Sequence, residues 1–600
     1  MNYRKKSTIL LLLAAFSGLL IAGTGNNQSP GVKMLGRFNA YLDSLEQQLL
    51  HFERVAPTLP EDSLKAYFTR SRLLYKHIEF LVEYNYPEAA TRMNGAPLLE
   101  AEAAEPEEPT HPTGFQVLEE TVYEPATAES RLVMANEING ITAQVRKVRI
   151  YAASLDMSES EVMDALKLNL YRMVAKSLSA FDCPSAQSGI MEAAEILRSM
   201  REVLSFYGMT DELSLRLEKA AAYATANGHD FNGFDRAIFL SEYMQPVFRE
   251  FQVFARSRGI ASIAGTRAVR TDAASFLDDG AFNTLFFAPT GTTPETPVLV
   301  ALGKQLFHEP LISGNGARSC GGCHEPSKAF TDGKALNTSL FGDKQLLRNT
   351  PTLLNAALQP AQFADSRIAF LEDQVHAVVS NKQEMDGDFN RILSRLEKNK
   401  VYTRQFTEAF PGTKPMTKAN VRKAIAAYVR SLTSLNARFD QYMRGNRQAM
   451  NAQEVRGFNL YMGKAKCGTC HYVPLFNGAV PPLYDKIESE VLGVPATTDT
   501  LHARVDPDPG KYELYKMPHQ KHSFKTPTLR NIALTAPYMH NGVYQTLEEV
   551  IDFYNKGGGA GLGYELPNQT LAPDRLELTE TDKKDLVAFL QTLTDTAVAK

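Results

Sequence analysis

The chain has 600 residues and a formal net charge of -4, with 44% hydrophobic and 22% charged residues. These values are ordinary for a globular protein, and they give no sign of a strongly basic nucleic-acid surface or a polybasic membrane patch. The length predicts three or four domains.

The first 23 residues are predicted to be a secretory signal peptide. A basic segment precedes an apolar run from Ile9 to Ile21, and the small residues Ala22 and Gly23 follow it. The apolar run is shorter than the roughly 20 residues that a membrane-spanning helix needs. We therefore expect an exported protein, associated with the membrane only if the signal stays uncleaved.

Apolar residues recur at helical spacing from about residue 34 to residue 264, and alternating strand patterns are scarce. Pro57 is expected to end the first helix, and Ser158 with Glu161 forms a predicted capping box. A Thr- and Pro-rich linker is expected from Pro289 to Pro297. The pattern predicts a mainly α fold, with a helical bundle at 24–289 followed by two helical domains at 290–445 and 446–600.

Four of the five cysteines form two C-x-x-C-H motifs, while Cys183 stands alone and is expected to be a buried apolar residue. The motifs are Cys320-Gly-Gly-Cys323-His324 and Cys467-Gly-Thr-Cys470-His471. This spacing lets two thiols add to the haem vinyl groups while the adjacent histidine ligates the iron. A thioredoxin-like redox pair or a zinc knuckle does not explain a histidine directly after each pair. The motifs predict two covalent c-type haems.

The segment from Pro297 to Leu593 resembles the bacterial di-haem cytochrome c peroxidase family, which includes MauG. The resemblance is carried by several segments: 302–307 (LGKQLF), 329–333 (AFTDG), 348–355 (RNTPTLLN), 527–531 (PTLRN) and 535–542 (TAPYMHNG). It implies cytochrome c-like haem domains, peroxide chemistry at the first haem and an electron relay at the second.

The resemblance implies that His324 is the proximal ligand of the peroxidatic haem. Gln374 and Glu384 match the distal glutamine and glutamate of the family. A carboxylate in a dry pocket can move the proton that O–O cleavage requires. Peroxidases that need reductive activation cap the first haem with a loop histidine, but no histidine or methionine lies between Glu325 and Arg348. The first iron is therefore expected to have an open face.

At the second haem, the resemblance implies that His471 is proximal and that Tyr554 is the far ligand. Peroxidases proper carry a methionine at that position, whereas MauG carries a tyrosine. Met539 is the rival ligand. A methionine raises the haem potential, whereas a phenolate stabilises higher oxidation states.

Two family features are altered in this chain, and a third is expected only from the resemblance. The tryptophan that usually lies between the haems is absent, because the segment reads Phe363-Ala-Asp-Ser-Arg367 and the chain has no tryptophan. Val378 replaces a proline of the distal pocket. The family also binds a calcium ion between its haem domains, for which Asn349, Thr535 and Pro537 are the matching ligands. Oxygen ligands suit that ion.

The N-terminal bundle resembles the imelysin-like helical family in the segments 75–79 and 114–119. Gln116 stands where that family has a histidine, and glutamine is a poor substitute as a metal ligand. We therefore favour a structural or docking role for this bundle over metal binding.

Three functions are compatible with these features. The first is a periplasmic peroxidase that reduces hydrogen peroxide to water with electrons from a small cytochrome. The second is a MauG-like enzyme that uses peroxide to oxidise residues of a partner protein. The third is an electron-transfer cytochrome with both irons six-coordinate, against which Glu384 and Gln374 argue.

Overall fold

The computed structural model describes residues 28–99, 111–125, 127–412, 414–499 and 504–595. The predicted signal peptide lies outside these residues. Within them, every helix is too short or too polar to cross a membrane.

The N-terminal bundle (residues 28–289) is helical, as its apolar periodicity predicts. Its first helix ends at Val55, two residues before Pro57, and the capping box of Ser158 and Glu161 is present. A π-helical turn, Phe239–Met244, joins the last two helices. The helices are α1 Pro30–Val55, α2 Glu61–Lys76, α3 Glu79–Asn85, α4 Pro87–Asn94, α5 Phe115–Tyr123, α6 Ala128–Ala152, α7 Glu159–Ala175, α8 Gly189–Phe206, α9 Asp211–Asn227, α10 Arg236–Ile238 and α11 Gln245–Ser257.

The rest of the chain forms the first motif region (residues 290–445) and the second motif region (residues 446–595). The first contains α12 Pro297–Phe307, α13 Leu371–Ser380, α14 Phe389–Leu396, α15 Lys400–Ala409, α16 Lys418–Ser431 and α17 Arg438–Met443. The second contains α18 Ala452–Met462, β1 Ser489–Val491, α19 Tyr512–Tyr515, β2 Ser523–Lys525, α20 Leu547–Asn555, α21 Gly558–Gly561 and α22 Glu580–Thr592. The two short strands pair antiparallel, with Glu490 opposite Phe524. The prediction of a mainly α fold is confirmed.

The two motif regions repeat one arrangement of helices. In each, a helix before the Cys-x-x-Cys-His motif packs against a later helix: α12 against α16, and α18 against α22. A glycine allows the close approach both times. A Cβ at Gly303 would lie 1.9 Å from the Ala424 carbonyl oxygen, and one at Gly457 would lie 2.0 Å from that of Asp585. Any larger residue would therefore force these helices apart.

The hydrophobic core is divided in a way that the sequence analysis did not predict. One continuous core runs from the N-terminal bundle into the second motif region. At their boundary, the Phe282 and Tyr484 rings pack edge to face with centroids 5.3 Å apart. Most of the first motif region has a separate core, which includes Leu306 and Phe406, while Phe439 on its last helix, α17, belongs to the shared core. The bundle and the second motif region are thus packed as one body, while the predicted boundaries at 289/290 and 445/446 stay a prediction.

Charged side chains are buried inside the bundle and pair with one another. Arg172 donates to Asp182 Oδ1 over 2.9 Å, and Lys76 lies 3.2 Å from the same carboxylate. Burial alone would raise the pKa of Asp182, but the two cations outweigh it and hold that pKa well below its ordinary value. The fully or almost fully buried members of this ionic cluster are Arg72, Lys76, Glu79, Arg172, Asp182 and Glu192.

We expect Arg172→Met to lower the free energy of unfolding by about 3–5 kcal/mol, because it leaves carboxylates buried without their cation. Arg216→Met is the matched control, since Arg216 forms a solvent-exposed pair with Glu212 and should cost less than about 1 kcal/mol. Denaturant unfolding followed by circular dichroism measures both. Equal losses in the two variants would contradict the importance of the buried pairing.

Candidate functional site

Both Cys-x-x-Cys-His motifs open into one cavity of about 1980 Å³. Pockets for single small molecules are usually about 300–1,000 Å³, so this cavity has room for two large groups. Its walls come mainly from the first and second motif regions. All the sequence-predicted site residues line it: Cys320, Cys323, His324, Asn349, Gln374, Glu384, Cys467, Cys470, His471, Thr535, Pro537 and Tyr554.

The two motifs have the same local geometry. Each begins with a short 3-10 turn, at Cys320–Gly322 and at Cys467–Thr469. No disulfide bond forms within either motif, so all four thiols are free to bind a haem. Cys183 is fully buried, as predicted.

Each motif histidine is oriented by a backbone carbonyl. His324 Nδ1 donates to the Phe330 oxygen over 2.9 Å, and His471 Nδ1 donates to the Pro527 oxygen over 3.0 Å. The second ring nitrogen is therefore the one left for an iron. Burial lowers the pKa of His324 and lowers that of His471 to about 4, which favours the neutral imidazole that ligates metals. The residues present fit two covalently attached haems.

Gln374 and Glu384 lie on the cavity wall near the first motif. Gln374 is in the first turn of α13, while Glu384 follows the end of that helix. Asn381 donates to Glu384 Oε1 over 2.7 Å. Burial raises the pKa of Glu384, although Arg367 opposes this effect.

Sequence reasoning missed two groups that hold Glu384 in place. Asn381, three residues earlier, orients its carboxylate, and Arg318 donates to its backbone oxygen over 3.2 Å. Arg318 also donates to the Ser339 oxygen over 2.9 Å, which ties the loop after the first motif to the same site. The Asn-x-x-Glu spacing could have indicated Asn381, but nothing in the sequence links Arg318 to residue 384.

Tyr554 and Met539 both line the cavity. Tyr554 is in the last turn of α20, whereas Met539 is in a turn that is closed by a hydrogen bond from Tyr538 N to the Tyr544 oxygen. Burial raises the pKa of Tyr554, and the thiols of Cys470 and Cys467 lie within its electrostatic reach. The choice of Tyr554 over Met539 as a ligand stays a prediction.

The segment that lacks the usual tryptophan lies at the boundary between the motif regions. The Ala364 oxygen accepts a hydrogen bond from Lys525 N over 2.7 Å. Lys525 Nζ reaches back to Gln359 Oε1 over 2.7 Å and to the Ala361 oxygen over 3.0 Å. Peptide groups and a lysine therefore occupy this boundary, and Val378 lines the cavity as well.

Asn349 lies beside the segment that carries the other two predicted calcium ligands. Its backbone N–H donates to the His540 oxygen over 2.7 Å, and its Nδ2 donates to the Lys334 oxygen over 2.7 Å. The Oδ1 atom is thereby left as the ligand atom of the amide.

Gln116 and Glu119, in the second segment of the imelysin-like resemblance, are buried. Gln116 Nε2 donates to the Asn94 oxygen over 3.4 Å, and Glu119 Oε1 accepts from Ala186 N over 2.7 Å. Nowhere in the described ranges do three or more His, Cys, Asp or Glu side chains come together to hold a metal ion. The imelysin-like assignment stays a prediction.

Comparison with known proteins assigns the two motif regions to a protein family. A family model described as di-haem cytochrome c peroxidase matches residues 297–448. Cytochrome-c peroxidase IdrP1 of Denitromonas iodatirespirans is 35% identical over 365 residues, which cover 56% of this chain and 94% of the relative. Methylamine utilization protein MauG of Methylorubrum extorquens is 34% identical over 305 residues, covering 50% and 79%.

Among solved structures, a MauG-like protein associated with microbial copper homeostasis is 30% identical, with a TM-score of 0.45, covering 52% of this chain and 96% of that one. Because IdrP1 is matched over nearly its whole length, the family assignment does not rest on the first motif alone. The chain is an oxidoreductase that belongs to the di-haem cytochrome c peroxidase family.

Proposed function

We propose that this protein is an exported di-haem peroxidase that reduces hydrogen peroxide to water with electrons from a small c-type cytochrome. The observation that carries the proposal is the position of Glu384 and Gln374 on the cavity that His324 also faces. The predicted signal at residues 1–23 and the periplasmic location belong to the same proposal.

Within this proposal, the chain orients peroxide and moves its proton. The two haems, when bound, supply the iron and the electrons that O–O cleavage requires. Glu384 is held through Oε1 by Asn381. Its carboxylate accepts the proton of one peroxide oxygen and returns it to the other oxygen, which leaves as water. Gln374 donates a hydrogen bond to peroxide. Overall, one peroxide, two electrons and two protons give two waters.

A second candidate is a MauG-like activity, in which peroxide is used to oxidise residues of a partner protein. Two observations favour it: Tyr554 lines the cavity, and the chain has no histidine or methionine between Glu325 and Arg348. A tyrosinate ligand stabilises oxidised iron more than a methionine does, and an open first iron needs no prior reduction.

We also propose that one calcium ion binds between the two motif regions. The Asn349 side chain and the backbone oxygens of Thr535 and Pro537 would hold it, with water completing the shell. The support is that a hydrogen bond from Asn349 N to the His540 oxygen joins Asn349 directly to the segment that contains the other two ligands.

The test is to mix the fully ferric protein with one equivalent of hydrogen peroxide and to follow both haem spectra by stopped flow. We expect an immediate reaction, because the first iron is predicted to have an open face. A long-lived oxidised product favours the MauG-like activity, whereas rapid return to the ferric spectrum on adding a reduced cytochrome favours the peroxidase. No reaction before one haem is reduced would contradict the open first iron.

A further inference from the structure

Lys525 carries a positive charge at the boundary of the two motif regions, and its hydrogen-bond partners there are neutral. It is half-buried on β2 and lines the large cavity. Its Nζ donates to Gln359 Oε1 over 2.7 Å and to the Ala361 oxygen over 3.0 Å. Lys525 forms no ion pair with the residues that the structure describes. An ammonium has three donors, so one of them is left for an occupant of the cavity.

A chain of amide hydrogen bonds fixes the position of this ammonium. Gln359 Nε2 donates to Gln362 Oε1 over 3.0 Å, and Gln362 Nε2 donates to the Ala356 oxygen over 3.2 Å. Because the nitrogen of Gln359 is used in this way, its Oε1 is the atom that faces Lys525. The backbone is tied as well, since Lys525 N donates to the Ala364 oxygen over 2.7 Å. The ammonium is therefore positioned by protein groups alone.

The other charges nearby are already balanced. Asp365 accepts from Arg348 over 2.5 Å and from Arg367 over 2.9 Å. Arg348 also donates to Asp508 over 2.7 Å. The two arginines and the two carboxylates cancel each other, and Asp365 is occupied by both arginines. The charge of Lys525 is therefore left over at this wall of the cavity.

A half-buried ammonium with neutral partners is unfavourable until an anion joins it. Burial lowers the pKa of Lys525 to about 7, Asp365 opposes this effect, and the charge of Lys511 adds to it. The cavity fits two haems, and every haem has two propionate carboxylates. The group that fills the cavity thus brings the kind of anion that this ammonium lacks.

We propose that Lys525 binds a propionate carboxylate of one of the two haems, and that this ion pair raises the reduction potential of that haem. Reduction removes one positive charge from the iron centre, and a nearby cation favours this change. Lys525 belongs to the second motif region, while its neutral partners belong to the first. The ion pair would therefore fasten a haem to both regions. The inference rests on the two haems assigned above but not on peroxide turnover.

The test is a spectroelectrochemical titration of the full-length holoprotein without peroxide. We expect Lys525→Met to shift the ferric–ferrous equilibrium of one haem about tenfold towards ferric iron, which lowers its potential by about 59 mV. Lys525→Gln keeps an amide donor but not the charge, and should lower the potential as far. Lys525→Arg keeps the charge and should leave the equilibrium within about threefold of the original. In the resonance Raman spectrum, the propionate bending band should move to lower frequency in the Met and Gln variants.

The matched control is Lys521→Met, which removes an exposed ammonium four residues earlier on the same segment. Both potentials should stay unchanged there, because solvent and salt screen an exposed charge. The pyridine haemochrome spectrum verifies two haems in each variant, and if Lys525→Met takes up fewer, the Gln and Arg variants decide.

Three results would overturn the proposal. The first is an unchanged potential in Lys525→Gln, which would make the side chain a structural tie. The second is an equal loss in the Arg and Gln variants, which would exclude the charge as the cause. The third is a potential shift that depends on the chloride concentration, which would mean that an exchangeable anion, not a propionate, is bound. A protein without peroxidase activity would give the same potentials, so failure of the proposed function is distinguishable from failure of this inference.

Discussion

Glu384→Gln lowers the rate of peroxide turnover by about 10²–10⁴-fold, the range that a positioned acid–base group contributes, while both haems stay attached. Glutamine keeps the size of the side chain and can still contact Asn381, but it cannot accept and return a proton. Steady-state turnover with a reduced cytochrome measures the loss. The pyridine haemochrome spectrum verifies that two haems per chain remain.

The matched control is Glu397→Gln, an exposed glutamate that follows α14 in the same motif region. It should leave turnover within about twofold, as expected for a surface substitution distant from the site. Undiminished turnover in Glu384→Gln would remove the catalytic role from this residue.

The same carboxylate predicts how turnover depends on pH. Glu384 must be ionised to accept a proton, and burial raises its pKa. As the pH falls through this raised pKa the carboxylate becomes protonated, so kcat/KM for peroxide should decline at a higher pH than the ordinary carboxyl value of about 4.3 would give. This acid limb should disappear from the residual activity of Glu384→Gln. A limb that persists in the variant would belong to another group.

Much of the site follows from short segments of sequence. Each Cys-x-x-Cys-His motif predicts that its two thiols and its imidazole lie close together, because five consecutive residues contain all three groups. The prediction of mainly helical structure is confirmed for the same reason, since helical periodicity is local. Local patterns also predict the capping box of Ser158 and Glu161, which the structure contains.

Contacts between distant segments could not be predicted in this way. The core shared by the bundle and the second motif region depends on pairs such as Phe282 with Tyr484, which are about 200 residues apart in sequence. Likewise, Arg318 reaches the Glu384 backbone only because the chain folds back across the first motif. An apolar side chain reveals that it will be buried, but not which partner will cover it.

The largest expected change at the second haem comes from Tyr554→Met. Methionine ligation favours ferrous iron over ferric iron, whereas a tyrosinate does the opposite. The midpoint potential of the second haem should therefore rise by more than about 100 mV, within the roughly 0.8 V that axial ligands span. Spectroelectrochemical titration measures this shift, and it does not depend on turnover.

Two further variants separate ligation from a general disturbance of the cavity. Tyr564→Phe removes a hydroxyl from a half-buried tyrosine that does not line the cavity, and it should leave the spectrum and the potential of the second haem unchanged. Met539→Leu removes the sulfur of the rival ligand. It should also leave unchanged the low-spin spectrum that a second haem with two protein ligands gives. If Met539→Leu abolishes that spectrum while Tyr554→Met preserves it, the sulfur of Met539 is the ligand. The second haem would then resemble the relay of a conventional peroxidase. Ligation by Tyr554, which is the main argument for a MauG-like activity, would be excluded.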